Sequence, residues 1–350
     1  MLGRQVVLGR LFDAPAAALM VDGQLVDLNV DPGAVTPLAP GAICRGVTER
    51  LMKGQGGVFV RLPGEQRGYL RGRSGLREGQ PILVQIAGVA EDGKAIPLTR
   101  RVLFRGRFGL VTPDAPGINV SRRIRDDDLR GQLQTIGQNA LKGRAYGLIL
   151  RSAAASAEAA AIEDELATML DLADRIMAET AGPPELLLDA PDPWEQAWLD
   201  WAEPEPDTVE QGDDSFDTFG VSEAVDRILS DRVELPAGAS AFIQPTRALV
   251  AVDVNTGRDT TPAAALKANI ALVRDLPRQL RLRGLGGQIA VDFAPMPKRD
   301  RATLDQILRA AFRGDATETT LIGWTSMGLY EISRKRDRIP LAQLAGQGVR

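Results

Sequence analysis

Two aspartates interrupt apolar runs of the sequence, and an asparagine follows the first of them. Asp253 lies in LVAVDVNTG, residues 249–257, and Asn255 stands two places further on. Asp292 lies in GQIAVDF, residues 287–293. A carboxylate within an apolar strand is unfavourable unless it lies at the strand end, gains a partner or binds a cation. Because one or two carboxylates with water and substrate phosphate commonly hold Mg²⁺, this pair could form a magnesium site.

A second interpretation of the two aspartates needs no metal. Each carboxylate could accept hydrogen bonds from backbone N–H groups of the loop that follows it, which is a common use of aspartate in turns. Two carboxylates held close together repel each other unless a cation lies between them or one of them is protonated. From these residues alone, both interpretations stay open.

The composition limits the chemistry that the chain can support. The sequence contains no histidine and a single cysteine, Cys44. Ser-His and Cys-His nucleophilic sites, an internal disulfide, and zinc sites built from histidine or several cysteines are therefore excluded within one chain. Catalysis would rest on carboxylates, lysines, hydroxyls or a hard metal ion.

The segment between the two aspartates indicates how they are positioned. A loop, TGRDTTP, leads into a helical stretch that ends before the second apolar run. This β-α-β spacing predicts that the two strands are parallel and favours their being neighbours in one sheet. Their carboxyl ends would then lie at the same edge, which would bring Asp253 and Asp292 together.

The first hundred residues alternate in short strands. The segment ALMVDGQLVDLNV predicts a β-hairpin that turns at Asp22-Gly23. Residues 37–100 contain five short apolar stretches separated by glycine-rich turns, a pattern that suggests a small barrel. Phe59 and Tyr69 fall on neighbouring strands, and Lys94 falls in the turn before the last strand. Exposed rings would stack on unpaired bases and the lysine would meet phosphate, whereas the alternative is that both rings fill the barrel core.

Charge is distributed unevenly along the 350 residues. Residues 157–217 carry nineteen acidic side chains against Arg175, a local charge of −18 within a total of −4, so the rest of the chain carries +14. Residues 98–125 hold seven arginines against Asp114. Clustered arginines suit a phosphate backbone, because each neutralised phosphate releases counterions. The alternative is a solvated basic face beside an acidic region.

The length and hydropathy pattern predict the class of protein. A chain of 350 residues suggests two or three domains. The sequence has no run of about 18 consecutive apolar residues, so we expect no membrane span. The N-terminal segment lacks an apolar signal core, so we expect a cytoplasmic protein.

Several segments, in this order, resemble the ribonuclease E/G family. LVAVDVNTG, RQLRLRGLGGQIAVDF and GLYEISRKR resemble its catalytic core, and RLPGEQRGYL resembles its RNA-binding barrel. SRRI and GLILRS, at residues 121–124 and 147–152, resemble its 5′-end sensor. The resemblance implies an endoribonuclease that depends on Mg²⁺, for which Mn²⁺ would substitute. It would cleave single-stranded RNA by hydrolysis, in RNA processing or decay.

The resemblance also implies roles for individual residues. Two carboxylates would hold the Mg²⁺ and a neighbouring amide would complete the catalytic group: Asp253, Asp292 and Asn255. Three side chains of the barrel would contact RNA: Phe59, Tyr69 and Lys94. Three residues of the sensor would bind a 5′-monophosphate: Gly106, Arg151 and Ser152.

The fold class that the resemblance implies is α/β, in a multidomain protein with α+β character. An OB-type RNA-binding barrel (37–100) would be inserted in a ribonuclease-H-like and 5′-sensor region, followed by a deoxyribonuclease-I-like α/β catalytic subdomain (218–350). The ribonuclease-H-like part would comprise an N-terminal hairpin (1–36) and an acidic remainder (181–217). The 5′-sensor region would occupy residues 101–180.

The sequence departs from the family pattern at several places. Pro295 stands where an acid is usual, Pro277 is expected to interrupt a helix that is unbroken in the family, and Glu318 stands where a base is expected beside the terminal phosphate. We therefore expect only a weak preference for 5′-monophosphate RNA. The family's Cys-Pro-x-Cys zinc link is missing, so we expect no zinc, and any homodimer would be held by packing contacts.

These departures favour a rival interpretation, an RNA-binding regulatory relative with weak or no cleavage activity. The presence of Asp253, Asn255 and Asp292 together argues against it. A magnesium phosphatase acting on small molecules is a third interpretation, which the basic stretch and the barrel disfavour.

Overall fold

The structure, a computed structural model, describes residues 3–51, 56–72, 75–91 and 93–346. Its strands are β1 (Arg4–Leu11), β2 (Ala14–Val21), β3 (Gln24–Val30), β4 (Ile43–Leu51), β5 (Gly57–Arg61), β6 (Arg67–Arg71), β7 (Pro81–Ile86), β8 (Ile96–Thr99), β9 (Phe104–Arg105), β10 (Gly109–Thr112), β11 (Gly117–Val120), β12 (Gly147–Leu150), β13 (Glu185–Leu188), β14 (Thr208–Gln211), β15 (Arg232–Glu234), β16 (Ser240–Pro245), β17 (Val250–Asn255), β18 (Gly287–Asp292), β19 (Thr319–Trp324) and β20 (Tyr330–Arg334). Its α-helices are α1 (Asp127–Leu141), α2 (Ala159–Ala178), α3 (Pro193–Trp201), α4 (Ser215–Thr218), α5 (Val221–Leu229), α6 (Pro262–Leu282), α7 (Arg301–Phe312) and α8 (Leu341–Leu344).

The chain divides into two compact units. One, here called the aspartate unit, consists mainly of Val7–Val35 and Glu210–Arg350. The other, the barrel unit, consists mainly of Thr36–Val209. In the described part of the chain, none of the helices combines the length and apolar character that crossing a membrane requires.

The barrel unit contains a closed five-stranded barrel. β4 pairs with β5, β5 with β6, β6 with β8, β8 with β7 and β7 with β4. The β6–β8 pair is parallel and the others are antiparallel. Its core is apolar and includes Cys44, Val58, Val60 and Val84. The five strands predicted from residues 37–100 are all present, and their closed order is that of an OB-like barrel.

The rest of the barrel unit is built on a second sheet, with the strand order β11-β12-β10-β9. Helices α1 and α2 pack with this sheet around one apolar cluster. Helix α2 buries one apolar stripe: Ile162, Leu166, Met169, Ala173 and Ile176. This helix also supplies Glu165, whose carboxylate accepts hydrogen bonds from the loop after β9.

The aspartate unit contains a six-stranded sheet of order β15-β16-β17-β18-β20-β19. β17 and β18 are parallel, and every other pair is antiparallel. Helices α6 and α7 contribute Leu272, Leu276, Leu304 and Leu308 to the core under one face of the sheet. The edge strand β19 was not predicted, because Gly323 and a register shift between Leu321 and Gly323 break its alternation.

Helix α6 connects the two aspartate strands and continues through Pro277. The prediction that Pro277 interrupts this helix is therefore wrong. Proline removes one backbone hydrogen bond and crowds the preceding turn, which is unfavourable by about 3 kcal/mol in a helix interior. Pro277 is buried here, together with Leu276 and Leu280. We infer that burial of this apolar face stabilises the helix enough to offset the loss.

The predicted hairpin at Asp22-Gly23 is present as β2 and β3, which pair antiparallel. Asp22 and Gly23 both have positive φ, as the two-residue turns that suit hairpins require. A further strand, β1, precedes the hairpin as the neighbour of β2. The turn between them uses Phe12 and Asp13, also at positive φ, and it carries no glycine that would have revealed it.

Candidate functional site

Asp253 and Asp292 are register partners on neighbouring parallel strands. Asp292 is the last residue of β18, and Asp253 lies two residues before the end of β17. Neighbouring strands in a sheet lie about 5 Å apart, so the two carboxylates stand side by side at one edge. The β-α-β arrangement predicted for these strands is confirmed.

Both aspartates face solvent, not the apolar core. Along β17 the buried side chains are Val250, Val252 and Val254, while Asp253 is exposed. Asp292 is likewise exposed next to the buried Val291. Because side chains alternate between the two faces of a strand, a largely apolar run can carry a solvated carboxylate. The two charges therefore avoid the desolvation that a buried strand would impose.

Asn255 orients the first of these carboxylates. Its Nδ2 donates a hydrogen bond of 2.7 Å to Oδ2 of Asp253. In the described part of the chain, no backbone N–H donates to the carboxylate of Asp253 or Asp292. The arrangement differs from loop capping, in which each carboxylate would accept from the loop that follows it.

The pair has the donor chemistry of a magnesium site. Both side chains offer carboxylate oxygens, the ligands that Mg²⁺ prefers, and one or two carboxylates suffice when water and phosphate complete the octahedron. Across the described ranges, no group of three or more Asp, Glu, His or Cys side chains is placed to hold a metal ion. Pro295 is exposed in the segment after β18 and offers no ligand oxygen from its side chain. Two carboxylates thus fit Mg²⁺, with most of its coordination left to water and substrate.

Asn269 on α6 holds the segment that follows Asp292. Its Oδ1 accepts from the backbone N–H of Ala294 at 3.0 Å, and its Nδ2 donates to the carbonyl of Ala294 at 2.9 Å. Asn269 is fully buried. The exit of β18 is therefore tied to the crossover helix two residues beyond the carboxylate. A polar residue between the apolar Ala268 and Leu272 of this helix is the signal that the sequence carries for Asn269.

Phe59 and Tyr69 lie side by side on the outer surface of the barrel. They are register partners on β5 and β6, and their ring centroids are 5.5 Å apart in an edge-to-face arrangement. The guanidinium of Arg67 lies 3.9 Å from the centroid of Phe59. Both rings are half-buried and outside the barrel core, so the alternative that they fill it is wrong. A Cβ on Gly57 would collide with the ring of Tyr69, so the ring packs directly against the backbone of Gly57.

Lys94 lies in the turn before β8 and is exposed. Its Nζ forms an ion pair of 2.7 Å with Glu91. An ion pair at this exposure is worth about 1 kcal/mol or less, so a phosphate group can displace the carboxylate.

Gly106 and Arg151 are joined directly, because Nη1 of Arg151 donates to the carbonyl of Gly106 at 2.7 Å. Ser152 follows Arg151 and is half-buried. Burial lowers the pKa of Arg151, as does the neighbouring Arg105. The carboxylate of Asp200 acts in the opposite direction and raises the pKa of Arg151. Its Oδ1 lies 2.6 Å from Nη2 of Arg105 and 3.6 Å from Nη2 of Arg151. Two arginines thus share one carboxylate of the same unit.

The loop after β9 already holds an anion. The carboxylate of Glu165 accepts from the backbone N–H groups of Arg107, Phe108 and Gly109 at 2.9, 2.7 and 3.2 Å. A Cβ on Gly106 would collide with the side chains of Met169 and Glu165, so a larger residue there would displace one of them. The N–H of Gly106 itself donates to the carbonyl of Gly109 at 2.8 Å. No local pattern in the sequence indicates this role of Glu165, since its partners lie more than fifty residues away.

Comparison with known proteins decides the family. The sequence profile of the Ribonuclease E/G family matches residues 104–210 and 202–337, together more than half of the chain. The chain belongs to the ribonuclease E/G family.

Individual members of the family align over most of this chain. Ribonuclease E of Nostoc sp. is 27% identical over 94% of this chain and 56% of its own length. Ribonuclease E of Escherichia coli is 28% identical, over 91% of this chain and 35% of its own length. Ribonuclease G of Escherichia coli is 27% identical, over 75% of this chain and 61% of its own length. This family member thus spans about half the length of the curated relatives it matches.

Two further residues of this ribonuclease E/G family member bear on the predictions. Glu318 is exposed in the aspartate unit, and its backbone carbonyl accepts a hydrogen bond of 2.9 Å from the backbone N–H of Lys335. The expectation that Glu318 lies beside the 5′-phosphate pocket stays a prediction. Cys44 is buried in the barrel, where desolvation raises its pKa to about 12. A neutral thiol is a poor metal ligand, since zinc binds the thiolate.

Proposed function

We propose that this member of the ribonuclease E/G family is a Mg²⁺-dependent endoribonuclease that cleaves single-stranded RNA. The observation that carries the proposal is the register pair of Asp253 and Asp292 on the solvent face of the sheet. Similarity to proteins named Ribonuclease E and Ribonuclease G supports it. We further propose a cytoplasmic protein that acts in RNA processing or decay.

The chemistry proposed is hydrolysis of a phosphodiester. When bound, Mg²⁺ supplies an activated water and neutralises charge that develops on the scissile phosphate. Asp253 and Asp292 would hold the ion. Asn255 occupies Oδ2 of Asp253 and thereby leaves Oδ1 for coordination. Products would carry 5′-phosphate and 3′-hydroxyl ends, and Mn²⁺ would substitute because it prefers the same oxygen ligands.

Asn269 acts at a distance from the reacting atoms in this proposal. By fixing both backbone groups of Ala294, it limits the motion of the chain that leaves β18. Two carboxylates must stay close in spite of their repulsion until a cation neutralises them. Anchoring the strand exit to α6 would preserve their spacing in the free protein.

RNA would be held on the barrel unit as well. The paired rings of Phe59 and Tyr69 would stack on bases, and Lys94 would exchange Glu91 for a phosphate. Residues 37–100 would thus form the OB-type RNA-binding domain. The arginines of residues 98–125 would add sequence-independent affinity for the backbone.

A terminal 5′-monophosphate would be bound by Gly106, Arg151 and Ser152, within a 5′-sensor region at residues 101–180. Arg151 would provide charge-assisted donors and Ser152 a hydroxyl. Asp200 already pairs with Arg105 and Arg151, so the phosphate would have to displace a carboxylate. We therefore propose a weak preference for this end group.

Residues 1–36 and 181–217 would form the ribonuclease-H-like part, and residues 218–350 the deoxyribonuclease-I-like catalytic subdomain. Any homodimer would be held by packing contacts, without zinc.

One observation favours a second candidate, an RNA-binding relative with weak or no cleavage. Pro295 stands in place of the usual acid, and no third acid joins the aspartate pair among the described residues. In that case the barrel unit would bind RNA while the aspartate pair cleaved it slowly.

A direct experiment separates these candidates. The purified chain would be incubated with an end-labelled A/U-rich single strand in Mg²⁺, Mn²⁺ or EDTA, beside the same strand in a duplex. We expect internal cleavage of the single strand in either metal and none in EDTA. Asp253→Asn, purified identically, controls for contaminating nucleases. Binding without internal cleavage in either metal would favour the regulatory relative.

A further inference from the structure

Phe242 on β16 is the register partner of Asp253. Register partners on neighbouring antiparallel strands lie on the same face of the sheet with their Cβ atoms about 5 Å apart. Asp253 is in turn the partner of Asp292. The ring of Phe242 and the two carboxylates therefore form one row across the open face of the sheet.

Phe242 does not belong to the apolar core of its unit. Its neighbours along the strand, Ala241 and Ile243, are completely buried on the opposite face, whereas Phe242 is half-buried. The core cluster and the partly buried side chains packed against it include other aromatic residues, such as Phe293 and Trp324, but not Phe242. Apolar packing of this unit gives no reason for a large ring at that position.

Two small residues lie beside this row, and Gln244 and Glu331 flank them on the neighbouring strands. Ala251 and Ala290, which are register partners of each other, precede the two aspartates by two residues and lie on the same face. Their methyl groups leave space above the sheet that larger side chains would fill. A single nucleic-acid strand could approach the carboxylates over this floor and meet the ring of Phe242 at the end of the row.

We propose that Phe242 stacks on the base of a nucleotide adjoining the scissile phosphate. This inference rests on the proposed function, since it requires that phosphate be held at Asp253 and Asp292. An aromatic ring one strand away from the phosphate site is close enough to meet the base of a bound nucleotide. Stacking accepts any base because each has a π face, so Phe242 positions the substrate without reading its sequence.

The first test removes the base from the RNA, the ring from the protein, or both. Oligonucleotides with one cleavage site would carry an abasic residue on either side of the scissile phosphate. In wild type, one of these two abasic substitutions should lower kcat/KM by about 5- to 140-fold, the range expected for one stacked base. In Phe242→Leu, which keeps apolar bulk, the intact RNA should show the same loss and the abasic RNA no further loss. Equal abasic effects in wild type and Phe242→Leu would overturn the inference.

The second test needs no cleavage. A 2-aminopurine at the same position reports stacking through its fluorescence, measured in Mg²⁺ at saturating protein on an RNA whose scissile phosphodiester is replaced by a non-cleavable linkage. We expect quenching in wild type and Phe242→Trp, and recovery in Phe242→Leu. Ile322→Ala, which removes a side chain 59% exposed on the edge strand of the same sheet, is the matched control and should behave as wild type. Unchanged quenching in Phe242→Leu would contradict the proposal.

The two tests distinguish this inference from the proposed function. If wild type cleaves intact RNA but the abasic substitutions have no effect, the inference alone fails. If wild type does not cleave RNA in Mg²⁺ or Mn²⁺, the proposed function fails and the inference with it.

Discussion

The side-chain amide of Asn255 donates a 2.7 Å hydrogen bond to Oδ2 of Asp253. Removing it in Asn255→Ala would free the carboxylate to rotate, so we expect a loss of metal affinity or activity. Partners that orient a metal ligand are commonly worth 10- to 100-fold. A Mg²⁺ titration of the cleavage rate should show a higher half-saturating concentration. A titration identical to that of wild type would exclude this role.

Asn269 should affect stability more than Asn255 does. Asn269→Leu leaves the N–H and C=O of Ala294 without their partner in a buried place, at about 1–3 kcal/mol each. Urea unfolding should therefore show a loss of roughly 2–6 kcal/mol. Asn255→Ala, an exposed substitution, is the control and should change stability by about 0.5 kcal/mol or less. Equal stabilities of the two variants would contradict the anchoring role.

The outer face of the barrel should bind RNA without supporting the fold. Replacing Phe59 and Tyr69 together by Ala should weaken binding to an unstructured strand by roughly 2–6 kcal/mol if both rings stack. The thermal transition should stay close to that of wild type, since neither ring belongs to the barrel core. Val60→Ala, within that core, is the contrasting variant that should lower the transition. A double mutant that unfolds would show that the rings support the barrel.

Asp200 should limit recognition of a 5′-monophosphate. It pairs with both Arg105 and Arg151, so Asp200→Asn would free two cations for a terminal phosphate. We expect the ratio of cleavage rates for 5′-monophosphate and 5′-hydroxyl RNA to rise by about tenfold, as a charge-assisted contact worth 1.4 kcal/mol would give. Adding Arg151→Ala should abolish the gain. A ratio insensitive to Asp200 would place end recognition elsewhere.

The parts of the fold that depend on local patterns were predictable from the sequence. The loop and helix between the aspartate strands indicated parallel neighbours, and that prediction is confirmed by the register of Asp253 and Asp292. The barrel strands were detectable because glycine-rich turns separate them. The turn at Phe12 and Asp13 was missed because its positive φ values occur without glycine.

The remaining features depend on contacts that local patterns do not encode. Glu165 meets a loop more than fifty residues earlier, and Asn269 meets Ala294 across a helix and a strand. The place of Phe242 beside Asp253 follows from strand register. A register shift of one residue would move Phe242 to the opposite face of the sheet. The continuity of α6 through Pro277 depends on tertiary burial, which outweighs the local preference.

If the register pair of Asp253 and Asp292 carries the chemistry and other surfaces carry RNA binding, mutation should separate the two. We would compare Asp253→Asn and Asp292→Asn with wild type in single-turnover cleavage and in equilibrium RNA binding, each over a Mg²⁺ titration. Each variant should lose several orders of magnitude in cleavage rate, because a metal-held nucleophile is lost, and should bind RNA nearly as wild type does. Cleavage by either variant within about tenfold of wild type, at any Mg²⁺ concentration, would contradict the two-aspartate site.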